Sequence, residues 1–96
     1  MLFALINTDR PGCLDLRMAT RPAHLDWLAG EQSKIVTAGG LLDTAGQLAG
    51  SLIVVDVADR AEAEAFVAGD PYTKAGLFES TVVRPFRQAY KDGKKV

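Results

Sequence analysis

The chain has 96 residues, of which 48% are hydrophobic and 24% are charged, and its formal net charge is −1. A chain of this length folds around one core, and this composition is that of a globular rather than a disordered protein, so we expect a single domain, 1–96. A net charge so close to zero provides no field to attract nucleic acid or an anionic membrane, and we expect neither as a partner.

The chain contains one cysteine, Cys13, and one histidine, His24. A single cysteine cannot form an intramolecular disulfide, and the two residues together cannot complete a zinc site, so we predict no metal. The apolar start Met1–Ile6 lacks a basic leader and a cleavage site, which favours a buried strand over a signal peptide. No run approaches the ~20 apolar residues of a membrane span. We therefore expect a cytoplasmic protein.

The first elements are a strand and a helical region. Leu2–Thr8 is short and apolar, as is typical of a buried strand. From Leu14 to Ser33 apolar residues recur at roughly helical spacing, but Pro22 interrupts them. Because proline is well tolerated in a first helical turn and poorly in a helix interior, we predict a short turn through Arg17 and Met18 and then a main helix that starts near Thr20 or Arg21. His24 would lie in its first turn, where the positive end of the helix favours a neutral imidazole.

The rest of the chain divides into two strands, a helix, a helical turn and a last strand, which span Ile35–Leu42, Leu48–Val57, Asp59–Gly69, Asp70–Gly76 and Ser80–Ala89. The spacing of Asp59 and Glu62 is that of a capping box, and Gly69 is predicted to be the C-terminal cap of the helix. The lysines at the C-terminus are predicted to form a frayed, solvated tail.

The order β, α, β, β, α, β predicts a ferredoxin-like α+β fold, in which two helices cover one face of a four-stranded antiparallel sheet. The strands nevertheless place apolar side chains on both faces: Leu5, Ile6, Ile53, Val54, Val55, Val82 and Val83. A soluble monomer does not usually expose an apolar sheet face of this size. We therefore predict a homodimeric barrel, in which two sheets pack face to face.

Two residues are candidates for proton transfer. His24 is either a solvated helix residue, or packed against the sheet, or a general base, since histidine titrates near neutral pH. Asp70 precedes a proline and is typical of an N-cap. In the predicted fold Asp70 could also accept the proton of His24 Nδ1, which would fix the imidazole tautomer. These two roles of Asp70 are compatible.

Four other residues are candidates for ligand binding. Arg21, with Arg17 one turn earlier, could bind a carboxylate or enolate, although Arg17 could equally be a surface residue paired with Asp15 or Glu31. Tyr72 either contributes its phenol to a pocket or buries its ring. Ser51 could bind a ligand oxygen or be a strand-edge serine without a role.

These residues resemble a known family. The segment Arg21–Leu25, preceded by Arg17, followed by Gly50-Ser51 and by Asp70-Pro71-Tyr72, is similar to the bacterial YciI-like, or YCII-related domain, proteins. This resemblance covers nearly the whole chain. It implies a dimeric α+β barrel, similar to muconolactone isomerase, with His24 and Asp70 as the active-site pair. Two differences are that the segment Leu41–Leu48 is shorter than usual and that Gly40 replaces a frequent proline.

The best understood relatives in that family act in the breakdown of chlorinated aromatic compounds, as small dehydrochlorinase-type enzymes. Our leading hypothesis is a cofactor-independent lyase or isomerase for a small oxygenated molecule, with His24 as base, Asp70 as its partner, and Arg21, Tyr72 and Ser51 as ligand-binding residues. The alternative is a non-catalytic module that binds a small molecule in the same pocket. A third hypothesis, a pure assembly protein, predicts no enclosed cleft near His24.

Overall fold

The structure is a computed structural model that describes all 96 residues. Its elements are β1 (Leu2–Asp9), α1 (Leu14–Gly30), β2 (Ile35–Leu42), β3 (Leu48–Asp56), α2 (Arg60–Gly69), α3 (Pro71–Lys74), β4 (Phe78–Pro85), β5 (Tyr90–Lys91) and β6 (Lys94–Lys95). The first four strands form an antiparallel sheet in the order β2-β3-β1-β4. This arrangement confirms the predicted ferredoxin-like α+β fold.

The inner face of the sheet changes from apolar to polar along β1. At one end, Phe3 and Leu5 are buried together with Ile53 of β3 and Phe66 of α2. Burying such side chains contributes about 1.5–3 kcal/mol each, and this cluster is the core of the protein. The same alternation then places Asn7 and Asp9 on the inner face, where both are also buried. Buried polar groups require hydrogen-bond partners, so we expect a cluster of polar side chains at this end of the sheet.

The prediction of a helix break at Pro22 is wrong. α1 is one continuous helix from Leu14 to Gly30, with Pro22 in its interior. Proline at position 22 removes the hydrogen bond to the carbonyl of Met18, and both residues are exposed, so water can replace the lost donor. Side-chain contacts of Arg17 and His24 hold the helix before and after the proline. His24 therefore lies well past the first turn, and the argument from the helix N-terminus does not apply to it.

The end of α2 also differs from the prediction. Asp59 caps its N-terminus as predicted, since the carboxylate accepts a 2.9 Å hydrogen bond from Glu62 N. Gly69, however, is the last residue of α2 rather than a left-handed cap. Asp70 follows in an extended conformation (φ −65°, ψ 125°) and starts α3 directly. The chain turns at this point without any residue of positive φ, so a glycine cap is not needed.

The last strand and the C-terminus are the remaining differences. β4 runs from Phe78 to Pro85 rather than from Ser80 to Ala89. The predicted frayed tail is instead a small hairpin, in which β5 pairs with β6. Asp92 and Gly93 join these strands with φ values of 52° and 76°, the conformation of a type I′ turn that Asp-Gly sequences favour.

None of the helices combines the length and the apolar composition that a membrane-spanning helix needs.

Candidate active site

The structure brings His24 and Asp70 together across the helical layer. His24 Nδ1 lies 2.9 Å from Asp70 Oδ1, and both residues are buried. The same carboxylate oxygen accepts a 2.9 Å hydrogen bond from the backbone N–H of Tyr72, so Asp70 is also the N-cap of α3. The two roles considered for Asp70 therefore occur together. One carboxylate oxygen joins α1 to the start of α3.

This geometry selects one tautomer of the imidazole. Asp70 Oδ1 is an acceptor for Tyr72 N–H, and as a carboxylate oxygen it also accepts from Nδ1–H of His24. A neutral His24 then carries its lone pair on Nε2. This arrangement is chemically suited to remove a proton from a molecule placed beside Nε2.

Tyr72 lines the site and packs against His24. Its ring stacks on the His24 ring with a centroid distance of 4.0 Å and an interplanar angle of 21°. Burial raises the pKa of the Tyr72 phenol, and the nearby charges of Arg17 and Arg21 oppose this shift only in part. The phenol is consequently protonated at neutral pH and available as a hydrogen-bond donor.

Arg17 is a buried residue of the site. It lies 4.5 Å above the Tyr72 ring centroid, and its Nε and Nη2 atoms donate to Asp9 at 2.6 and 3.1 Å. Burial alone would lower the pKa of Arg17, but the hydrogen bond and the charge of Asp9 outweigh it and raise the pKa above its usual value. The interpretation of Arg17 as a surface residue paired with Asp15 or Glu31 is therefore wrong.

A cavity of about 160 Å³ lies between α1 and the sheet. Its polar lining consists of Arg17, Arg21, His24, Ser51 and Tyr72. Arg21 is exposed at the cavity and makes no ion pair, so it is a cation free to contact a ligand. Gly40 and Leu48 also line the cavity, and the hairpin between β2 and β3 therefore borders it. The cavity thus groups four of the five residues that the sequence predicted for the site, His24, Arg21, Tyr72 and Ser51, and the fifth, Asp70, contacts His24 without lining the cavity.

Three further polar residues were not among the predicted site residues. Asp9 holds Arg17, and Asn7 bonds both Ser51 and Thr81. The signal for Asn7 and Asp9 was the alternation of β1, because a period of two places them on the same face as Phe3 and Leu5. No local pattern indicated Thr81, which reaches the site only through the pairing of β4 with β1.

The comparison with protein families gives a match to the YCII-related domain over residues 1–87. The chain belongs to the YCII-related domain family. It is 30% identical over 98 aligned positions to "Protein YciI" of Escherichia coli, an alignment that covers 94% of this chain and all of that protein. The β5–β6 hairpin lies beyond the matched region.

Solved structures similar to this YCII-related protein agree with its fold. 5-Chloro-2-hydroxyhydroquinone dehydrochlorinase (TftG) from Burkholderia phenoliruptrix, in complex with 2,5-dihydroxybenzoquinone, has 35% sequence identity and a TM-score of 0.86. That alignment covers 91% of this chain and 94% of the enzyme. An antibiotic biosynthesis monooxygenase has a TM-score of 0.54 over 92% of this chain and all of that one. Its identity is only 11%, so this second likeness shows the fold alone.

Proposed function

We propose that this YCII-related protein is a cofactor-independent enzyme of the lyase or isomerase type, which transfers a proton on a small oxygenated ring. The observation that carries the proposal is the buried His24–Asp70 contact at a cavity of about 160 Å³. His24 Nε2 accepts the proton, and Asp70 orients the ring and balances the charge that forms on it. Arg21 and the Tyr72 phenol stabilise the developing oxyanion.

The likeness to a dehydrochlorinase supports elimination of HCl as the reaction to test. In this elimination one hydroxyl proton of the hydroquinone first moves to the ring carbon that carries chlorine, which gives a keto tautomer. Loss of a second hydroxyl proton then forms the other quinone carbonyl as the carbon–chlorine bond breaks, with its electron pair leaving on chloride. The step needs no oxidant or reductant, and a base with oxyanion donors is sufficient for it. The free cation of Arg21 suits a substrate whose ring hydroxyl groups are ionised.

We expect the protein to release chloride from 5-chloro-2-hydroxyhydroquinone and to bind 2,5-dihydroxybenzoquinone. Chloride release is measured in anaerobic buffer to suppress oxidation of the hydroquinone, with heat-denatured protein as the background. Binding is measured by calorimetry. Binding without chloride release would favour the non-catalytic binding module for this compound class, and absence of both would contradict the proposal.

We also propose that the protein is a homodimer formed through the outer face of its sheet. This face carries Ile6 of β1 between Leu52 of β3 and Val82 of β4, directly opposite one another in the strand register. Leu52 and Val82 are 36% and 42% exposed in the single chain, and no helix covers them. A second copy that packs on this face would remove the exposed apolar surface from water.

Sedimentation tests the dimer. We expect the wild-type protein to sediment as a dimer at micromolar concentration and Leu52→Glu to sediment as a folded monomer, because the interface would bury an unpaired carboxylate. Met18→Glu is the matched control, since Met18 is 48% exposed on α1, in the other layer of the protein. A wild-type monomer, or a dimer unaffected by Leu52→Glu, would contradict the proposed dimer.

A further inference from the structure

A row of three polar side chains crosses the inner face of the sheet beside the cavity. Asn7 of β1 is directly opposite Ser51 of β3 on one side and Thr81 of β4 on the other. Thr81 Oγ1 and Asn7 Oδ1 are 2.8 Å apart, and Asn7 Nδ2 and Ser51 Oγ are 2.9 Å apart. Neither Asn7 nor Thr81 lines the cavity, whereas Ser51 does.

The orientation of the Asn7 amide gives the row a direction. A carbonyl oxygen can only accept, so the Thr81 hydroxyl donates to Asn7 Oδ1. The amide nitrogen can only donate, so Asn7 Nδ2 donates to Ser51 Oγ. Ser51 is therefore an acceptor within the row, and its own hydroxyl proton has no acceptor in the protein. Because Ser51 is 3% exposed, an unpaired donor there is costly, and Ser51 lines the cavity, where a ligand could accept its proton.

We propose that Thr81 and Asn7 are positioning residues that hold Ser51 as a donor to a ligand oxygen on the sheet side of the cavity. This inference rests on the proposed function, because it assumes the same oxygenated ring. On the helix side, Arg21 and the Tyr72 phenol are also donors. The pocket thus selects a ring with acceptor oxygens at two opposite edges, such as ionised 2,5-dihydroxybenzoquinone, over a ring with an oxygen at one edge only.

The role of Thr81 explains why a residue outside the cavity should change affinity. When Thr81 becomes valine, Asn7 Oδ1 loses its donor and the Asn7 side chain is free to turn its oxygen towards Ser51. Ser51 would then donate to Asn7 instead of the ligand. Serine at position 81 retains the hydroxyl and should preserve the direction of the row.

The test is calorimetric binding of 2,5-dihydroxybenzoquinone to the full-length protein. We expect Ser51→Ala to weaken binding about 10-fold or more, as for a lost hydrogen bond to a charged group, and Thr81→Val to weaken it about 3- to 10-fold. Thr81→Ser should bind like the wild type. In the Ser51→Ala background, Thr81→Val should have no further effect, because its action passes through Ser51. Ser80→Ala, on the neighbouring exposed position of β4, is the control.

Several outcomes distinguish this inference from the proposed function. The inference would be overturned if the Thr81→Val variant bound the quinone like the wild type. It would also be overturned if Thr81→Val weakened binding equally in the wild-type and Ser51→Ala backgrounds. Either result would leave the proton-transfer proposal standing. The expected losses in a protein that releases no chloride would support the positioning row and contradict the catalytic proposal. A wild-type protein that does not bind the quinone would overturn this inference, and one that also releases no chloride would overturn the proposed function as well. Thermal unfolding of each variant confirms that the fold is retained.

Discussion

Replacing His24 with glutamine is expected to lower kcat for chloride release by ~100- to 10,000-fold, the usual contribution of a general base. Glutamine can still donate a hydrogen bond to Asp70, so helix α1 keeps its anchor, but glutamine cannot take up a proton at neutral pH. KM should change less than kcat, because the donors that hold the ring, Arg21 and Tyr72, remain in place. The measurement is steady-state kinetics with 5-chloro-2-hydroxyhydroquinone.

Asp70→Asn should give a smaller loss in kcat, of about 10- to 100-fold, which corresponds to a lost charge on a hydrogen bond worth ~1.5–3 kcal/mol. The reason is Tyr72, whose backbone N–H donates to the same oxygen as His24. This N–H keeps the amide oxygen of an asparagine towards the imidazole, so the tautomer is retained. Asparagine is also a good N-cap, and α3 should persist.

Asp26→Asn, at an exposed position of α1 outside the cavity, is the control for both active-site variants and should retain wild-type kinetics. A His24→Gln protein whose kcat lies within about threefold of wild type would exclude the histidine as a base. An Asp70→Asn protein as impaired as His24→Gln would show that the Tyr72 amide does not preserve the tautomer.

Replacing Arg17 with methionine is expected to lower the free energy of unfolding by about 3–5 kcal/mol, because it leaves the Asp9 carboxylate buried without its partner. The side chains of the pair are only 3% and 5% exposed, and two hydrogen bonds join them. The measurement is urea unfolding followed by circular dichroism. The double variant Arg17→Met, Asp9→Leu should recover most of the loss, since no isolated charge remains.

The exposed pair Arg60–Glu64 provides the control for this prediction. Its side chains are 54% and 58% exposed, with an N–O distance of 3.1 Å on adjacent turns of α2. Glu64→Gln should therefore cost less than about 1 kcal/mol. A cost of similar size for Arg17→Met would mean that water reaches the Asp9 carboxylate. A double variant no more stable than Arg17→Met would attribute the loss to packing of the arginine rather than to the unpaired acid.

The sequence predicted the sheet well because most of its strands are short apolar runs that end at turn-forming residues. Leu2–Thr8 and Ile35–Leu42 were placed nearly to the residue, and the order of elements was sufficient for the fold. The interior of α1 was not predictable from local preference. Pro22 indicates a helix start on its own, and only contacts with β1 and α3 compensate for it. The C-terminal hairpin was missed although Asp92-Gly93 is a strong turn signal.

The candidate site was likewise predicted only in part. His24 and Asp70 were identified from their chemistry and from the expected packing of the two helices, and the structure places them in contact. Asp9 was not considered as a partner of Arg17, because an arginine eight residues from an aspartate has no fixed relation to it until the strand and helix are packed. Asn7 and Thr81 are 74 residues apart, and only the strand register brings them together.

In the proposed mechanism, the shared oxygen of Asp70 makes catalytic competence depend on the folding of α3. A helix of four residues has no stability of its own, so the Asp70 cap and the buried Tyr72 ring must hold it in place. If α3 opens locally, Asp70 loses its position and the His24 ring loses both its hydrogen-bond partner and its stacking surface. If the proposed mechanism holds, only molecules in which this single turn is closed can turn over, and a ligand that packs on Tyr72 favours the closed turn.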